Sequence, residues 1–294
     1  MAVEGLKKTL VLGHRNPDTD SICSAICYAG FKHQLTGENY EPCRAGNVSP
    51  ETQYVLDYFN LKAPRLVENV KTQVKDIEIR KTKGVSRGIS LKNAWGLMQE
   101  NNVVTLPCVT EEGLLEGVIT IGDITKSYMN LYDSSIISKA CTKYANILDT
   151  LEGSMVVGDS EAYFDQGKVL IAAANPDLME NYIEKHDLVI LGNRYESQLC
   201  AIEMEAGCII VCEGAGVSLT IRKLAQERGC AVITTPYDTY TTARLINQSM
   251  PISYFMTKEN IIEFSEEDYL DDIREIMASK RHRDFPVLDS DGKY

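Results

Sequence analysis

A chain of 294 residues is long enough for about two domains, and its 44% hydrophobic and 24% charged residues are those of an ordinary globular protein. Net charge is −12, with Lys and Arg spread along the chain and no basic tract, which argues against nucleic acid as the main partner. No stretch approaches the roughly 20 apolar residues of a membrane span, and the first residues lack a signal-peptide core.

The first predicted strand, Thr9–Gly13, runs into the loop His14-Arg-Asn-Pro-Asp18-Thr-Asp20. Ser21 is expected to cap a helix over 21–35. Spacings of four and then two residues let His14, Asp18 and Asp20 converge where the strand ends. One imidazole nitrogen with several carboxylate oxygens suits a hard-to-borderline divalent cation. The helix N-terminus beside them favours a phosphate. The same residues also allow a plainer role, with Asp18 or Asp20 simply capping the helix in an ordinary Asn-Pro-Asp turn. A strand over Tyr40–Ala45 follows. Ser49-Pro50-Glu51 then starts a second helix with an N-cap serine and a proline at its first position. Strand–helix alternation over residues 9 to 69 implies a parallel sheet, and two strands are too few for one, so this segment reads as the first part of a larger domain.

From about residue 70 the pattern changes. A helix capped by Ser90 precedes the strand Thr105–Thr110, a Glu111-Glu-Gly113 turn and the strand Leu115–Ile121. Thr120 and Asp123 then stand at the start of a further helix. A hydroxyl and a carboxylate so placed can hold the two hydroxyls of a ribose, although Asp123 could equally be a simple helix cap. This unit recurs without a gap: Met98 falls on Met277, Pro107 on Pro286 and Gly113 on Gly292. The second copy reaches Tyr294 before its counterpart of 116–123, so the chain is expected to be a fragment. Lys280-Arg-His-Arg283 in this copy is a basic cluster able to hold phosphates, or else a solvated helix end.

Between the copies lie five short apolar runs: Met155–Gly158, Val169–Ala173, Leu188–Gly192, Cys208–Cys212 and Ala231–Thr235. With helices expected over Asp177–Lys185, Glu196–Glu205 and Leu219–Arg228, they predict a parallel sheet covered on both faces. The glycine turn Glu213-Gly-Ala-Gly is too short for a dinucleotide fingerprint or P-loop. The hydroxyl-rich stretch from Thr234 to Ala243 is expected to cap a helix, with a role that is structural or at an interface. Nine cysteines without a C-x-x-C, and histidines only at 14, 33, 186 and 282, argue against a zinc finger. The cysteines read as reduced core residues of a cytoplasmic protein.

Gly13-His14-Arg-Asn-Pro-Asp18-Thr-Asp20-Ser21 resembles the opening motif of the DHH phosphoesterase superfamily, and within it the family II inorganic pyrophosphatases. The later segments resemble a CBS domain, a DRTGG domain and the start of a second CBS domain, an order seen in the nucleotide-regulated members of that family. The fold expected from the resemblance is α/β, a partial DHH parallel-sheet domain with an inserted CBS–DRTGG–CBS region. The expected divisions are 1–69 for the DHH part, 70–133 for the first CBS domain, 134–248 for the DRTGG domain and 249–294 for a truncated second CBS domain. The resemblance implies hydrolysis of pyrophosphate to two phosphates with Mn²⁺ or Co²⁺, assisted by Mg²⁺. It implies His14 and Asp18 on one metal ion and Asp20 on its neighbour. It implies AMP, ADP, ATP or diadenosine polyphosphates as regulators, with Thr120, Asp123 and Arg283 in the nucleotide site, and a homodimer. The family's bridging aspartate, Asp-His-His motif and C-terminal domain are not in these residues, so this chain alone is expected to be inactive. The alternative is a non-catalytic adenine-nucleotide sensor. A DHH phosphoesterase acting on oligonucleotides is disfavoured by the inserted domains and the absence of basic patches.

Overall fold

The computed structural model describes residues 8–129, 133–280 and 284–294, and it divides into two compact units, 1–72 and 73–294. The first unit is β1 (Thr9–Val11), α1 (Thr19–Thr36), β2 (Tyr40–Arg44), α2 (Pro50–Tyr58) and β3 (Arg65–Leu66). Its sheet has the order β1-β2-β3, with both pairs parallel. The sequence suggested two strands here, and the third is a two-residue pairing too short to carry a periodic signal. Ser49 caps α2 as expected, accepting the Thr52 N–H at 3.1 Å. At α1 the expectation is corrected. The cap is Asp18, whose Oδ1 accepts the Ser21 N–H at 2.9 Å, so the helix starts at Thr19 rather than at residue 21. Ser21 lies in the first turn as the donor. Both residues are good caps, and the extended backbone of Asp18 decides between them.

In the second unit the first copy of the repeat holds α3 (Leu91–Glu100), β4 (Thr105–Val109), β5 (Leu115–Thr120) and α4 (Ile121–Met129), with β4 and β5 forming an antiparallel hairpin. The middle region holds α5 (Ile136–Lys139), β6 (Thr142–Lys143), α6 (Tyr144–Thr150), β7 (Ser154–Val157), β8 (Tyr163–Phe164), β9 (Val169–Ile171), α7 (Pro176–Met179), β10 (Leu188–Leu191), α8 (Tyr195–Glu203), β11 (Cys208–Val211), α9 (Leu219–Arg228), β12 (Ala231–Thr234) and α10 (Thr239–Leu245). The second copy holds β13 (Phe264–Ser265), α11 (Leu270–Ser279) and β14 (Val287–Leu288). Helices α3 and α11 match residue for residue in the register that puts Met98 on Met277. The paired glycines 113 and 292 both take positive φ, +88° and +74°, in the turn after each strand.

The five expected strands of the middle region form one sheet, ordered β7-β12-β11-β10-β9. Four are parallel. The first, β7, runs antiparallel at the edge, against expectation. An apolar run shows that a strand is covered but not which way it points. Coverage on both faces is evident: Leu188, Ile190, Cys208 and Ile210 join one core while Val189, Leu191, Ile209 and Val211 join the other. The first of these cores also includes Leu91, Met98, Leu106 and Ile119 of the first repeat, so the repeat and the sheet share one apolar interior. A separate small cluster, Val74, Phe264 and Ile273, supports the second copy. The helix expected over Asp177–Lys185 is only Pro176–Met179, and the residues after it are turns. All nine cysteines are unpaired, and six are buried. Cys27 and Cys141 are exposed, so the core assignment fails for these two.

Candidate functional site

In the first unit, the loops that follow β1 and β2 lie side by side at the carboxyl ends of adjacent parallel strands, the usual position for ligands in open α/β sheets. They are packed closely. A Cβ on Gly46 would sit 2.5 Å from the Arg15 carbonyl oxygen and 2.7 Å from Pro17 Cδ, so only glycine fits. Thr52 ties the two helix starts together, with its hydroxyl 3.0 Å from that of Thr19 and 2.8 Å from that of Ser49.

On this frame His14 Nε2 stands 3.4 Å from Asp18 Oδ1. Their side chains are 59% and 65% exposed, so both donors are open to a cation from solvent. The Ser21 N–H holds the Asp18 carboxyl below the usual carboxylate range, and the adjacent imidazole adds to this. Asp18 is thus a helix cap and a charged donor at once. Asp20 is not brought to the same point. Its Oδ1 is 3.4 Å from the Ser24 hydroxyl, one turn along α1. With Asp18 as the extended cap and Asp20 in the first turn of α1, the three side chains do not form one donor group. Among the described residues no group of three His, Cys, Asp or Glu side chains lies close enough to hold a metal. The donor types fit a divalent ion of the Mn²⁺ or Co²⁺ kind, and the structure assembles two of the three.

In the second unit Thr120 and Asp123 do meet. The Thr120 N–H and hydroxyl both donate to Asp123 Oδ2, at 2.9 and 2.7 Å, and the Asp123 N–H returns a bond to Thr120 Oγ1 at 3.2 Å. This is a reciprocal capping box at the start of α4, in which Thr120 is the cap and Asp123 closes it. Thr120 pairs in register with Thr105 on β4. Thr105 lines a cleft of about 1160 Å³ between the two repeat copies. Thr120 and Asp123 themselves are at the end of that hairpin rather than among the lining residues. Arg283 lies outside the described residues.

The cleft reveals residues that the sequence reading passed over. Arg80, Lys81 and Lys83 line one side, and Glu266, Arg274 and Asp284 the other. The run Arg80-Lys-Thr-Lys83 is as basic as 280–283 and corrects the statement that the chain has no basic tract. Asp284 Oδ2 is buried without a hydrogen-bond partner among the described residues. Buried acceptors are ordinarily hydrogen-bonded, so this oxygen on the cleft wall marks a candidate contact for a ligand's donor. Half-buried Tyr294 closes the same region. Its N–H donates to the Gly113 carbonyl at 3.0 Å, and burial raises its phenol pKa.

Comparison with known proteins gives these sites their context. The CBS domain model matches residues 74–130 and 252–294, and the DRTGG domain model matches 146–249. A cobalt-dependent inorganic pyrophosphatase of Clostridium perfringens is 39% identical over 283 residues, which is 96% of this chain and 52% of the relative. A probable manganese-dependent inorganic pyrophosphatase of Thermotoga maritima is 30% identical over 292 residues, 99% of this chain and 53% of the relative. The chain thus spans about half the length of these two relatives. Among solved structures, the CBS and DRTGG domains of the regulatory region of Clostridium perfringens pyrophosphatase, complexed with the activator diadenosine tetraphosphate, superpose with a TM-score of 0.72 at 35% identity. That match covers 76% of this chain and 97% of the solved one. On the order of its domains and the breadth of these matches, the chain belongs to the family II inorganic pyrophosphatases that carry CBS and DRTGG domains.

Proposed function

We propose that this chain supplies the nucleotide-regulated CBS–DRTGG region and the first metal ligands of an enzyme that hydrolyses pyrophosphate to two phosphates. The observation that carries the reading is the 35% identical regulatory region, which in the Clostridium perfringens enzyme binds a diadenosine tetraphosphate activator. In the first unit His14 and Asp18 would hold one Mn²⁺ or Co²⁺ ion, and Asp20 a neighbouring one after turning from Ser24. Such ions, with Mg²⁺ assisting, supply a Lewis acid for the phosphoryl oxygens and lower the pKa of a bound water. The chain's own part is to keep Asp18 ionised through the Ser21 N–H and to aim His14 at it. The start of α1 adds a positive dipole end beside the substrate's phosphates.

In the second unit an adenine nucleotide would occupy the cleft between the repeats. Asp123, at the end of the hairpin outside the cleft's lining, would meet the ribose hydroxyls of a nucleotide reaching past Thr105, and the orphan Asp284 Oδ2 would accept a bond from the nucleoside. Lys81, Lys83 and Arg283 would neutralise phosphates. A homodimer in the cytoplasm fits the way paired CBS domains associate in this family, and no described helix is long and apolar enough to cross a membrane. A second reading, a non-catalytic nucleotide sensor, is favoured by one observation, the two-donor metal loop.

Titration calorimetry of the chain with AMP, ATP and diadenosine tetraphosphate tests the regulatory part. Binding is expected, and Asp123→Ala is expected to weaken it about tenfold or more, since a ribose hydroxyl loses a charged acceptor. Equal affinity in wild type and variant would remove Asp123 from the site. No binding of any adenine nucleotide would sink the regulatory reading.

A further inference from the structure

A second cleft, of about 790 Å³, lies where the first repeat copy meets the middle region and the start of the second copy. Three separate segments of its wall each contribute one cation: Arg87, Lys143 and Lys258. No Asp or Glu lines it, in a chain of net charge −12. Uncharged donors share its lining, among them Asn93 and Ser253.

The walls are held by backbone pairing. The Ser253 N–H donates to the Arg87 carbonyl at 3.0 Å, and the Ile252 N–H to that of Ile89 at 2.9 Å. Asn146 Nδ2 donates to the Gly88 carbonyl at 3.0 Å. The Tyr144 N–H donates to the Ala162 carbonyl at 3.0 Å, and the Ala145 N–H to that of Ser160 at 2.8 Å. Two of the cations are engaged outside the cleft, Arg87 with Glu116 at 3.2 Å and Lys143 with Glu161 at 2.5 Å. Such exposed pairs are weak, so each cation can turn to a better-matched anion. Lys258 is exposed and makes no ion pair among the described residues.

We propose that this cleft binds a small anion carrying two linked phosphoryl groups, separately from the nucleotide cleft between the repeats. Cations on three wall segments suit a chain of phosphoryl oxygens better than one compact phosphate. A guanidinium matches two oxygens at once while the ammonium groups act as point charges. An anion held by Arg87, Lys143 and Lys258 would bridge the first repeat, the middle region and the second repeat. The inference does not depend on the catalytic reading.

The test is amine-reactive labelling of the whole chain, read lysine by lysine by mass spectrometry, with inorganic pyrophosphate as the probe and EDTA present to keep metals away. Protection is expected at Lys143 and Lys258 with one common concentration dependence. Arg87→Ala, which removes no labelled amine, is expected to shift that dependence about tenfold. Lys258→Glu is expected to abolish protection at Lys143, while Lys223→Glu on the remote helix α9 leaves it unchanged. An ATP arm separates the two sources of the phosphoryl chain. Protection by pyrophosphate and ATP at matched concentrations assigns the site to phosphoryl groups from either, and tighter protection by ATP assigns it to a nucleotide tail. Protection confined to Lys81 and Lys83, none at all, or a response indifferent to Arg87→Ala would overturn the proposal. The thermal midpoint of Arg87→Ala is measured alongside, and the substitution is exposed, so loss of protection with an unchanged midpoint reports binding rather than unfolding.

Discussion

Asp18 carries two duties that are usually given to different residues. Its Oδ1 caps α1 through the Ser21 N–H, and the same oxygen lies 3.4 Å from His14 Nε2. The carboxyl is held below its ordinary value of 3.8 in the folded chain, by the Ser21 N–H first. A depressed folded pKa means that the cap contributes fully above the unfolded value and is lost as pH falls through the folded one. Asp18→Ala is therefore expected to lower amide-exchange protection in the first turn of α1 at neutral pH. The difference from wild type is expected to hold down to roughly pH 5 and to shrink below about pH 4. A difference that stays constant into acid would show that the carboxylate is not what holds the turn. The residue types at this loop are legible in the sequence, as is the placing of Thr120 and Asp123 at a helix start, because both depend on spacings of three or four positions; that the two bond to each other, with Thr120 rather than Asp123 as the cap, is not legible. The direction of Asp20 is not, since it depends on where the helix begins, and two cap candidates three positions apart leave that open. Asp284 was illegible for another reason: its orphan oxygen is created by packing around it, and a lone Asp before Phe-Pro has no periodic signature.

At the scale of elements, the repeat is the feature read most completely. One register, Met98 on Met277, predicts the matched helices α3 and α11 and the matched turns at Gly113 and Gly292. What it does not predict is how differently the two copies are supported. Ile119 of the first copy is 0% exposed in a core shared with the five-stranded sheet. Ile273 of the second is 7% exposed, in a cluster whose other buried members among the described residues are Val74 and Phe264. Truncating a side chain costs its transfer free energy plus the cavity left behind, and a small, open cluster can collapse to fill the gap. Ile119→Ala is expected to destabilise the chain by about 2–5 kcal/mol, and Ile273→Ala by less, near the bottom of that range. Urea unfolding of both variants measures this, and equal losses would mean that the second copy is as firmly packed as the first. The edge strand β7 makes the related point about direction. Its apolar residues announce a covered strand, but a run apolar on both faces carries no direction, and the strand pairs antiparallel with β12.

Over the whole molecule, the two functions proposed make different demands on the chain. Nucleotide binding needs the repeats and the groups around their cleft, and these lie together within the unit 73–294. Hydrolysis needs several metal donors at one point, and the described residues bring together only His14 and Asp18. Two donors leave most of a divalent ion's coordination to water, whereas catalytic metals are held by three or more protein ligands or by paired carboxylate sites. The two relatives that match along nearly the whole chain are about twice as long. The 294-residue chain is therefore expected to bind adenine nucleotides while releasing no phosphate from pyrophosphate above the uncatalysed rate, with Mn²⁺ or with Co²⁺. Phosphate release measured in parallel with calorimetry separates the cases. Nucleotide binding without hydrolysis assigns regulation to these residues and leaves chemistry to further ligands. Sustained hydrolysis removed by His14→Ala would show that the loop assembles a working metal centre by turning Asp20 toward Asp18. Hydrolysis indifferent to His14→Ala would place the chemistry elsewhere in the chain and withdraw the metal loop from the mechanism.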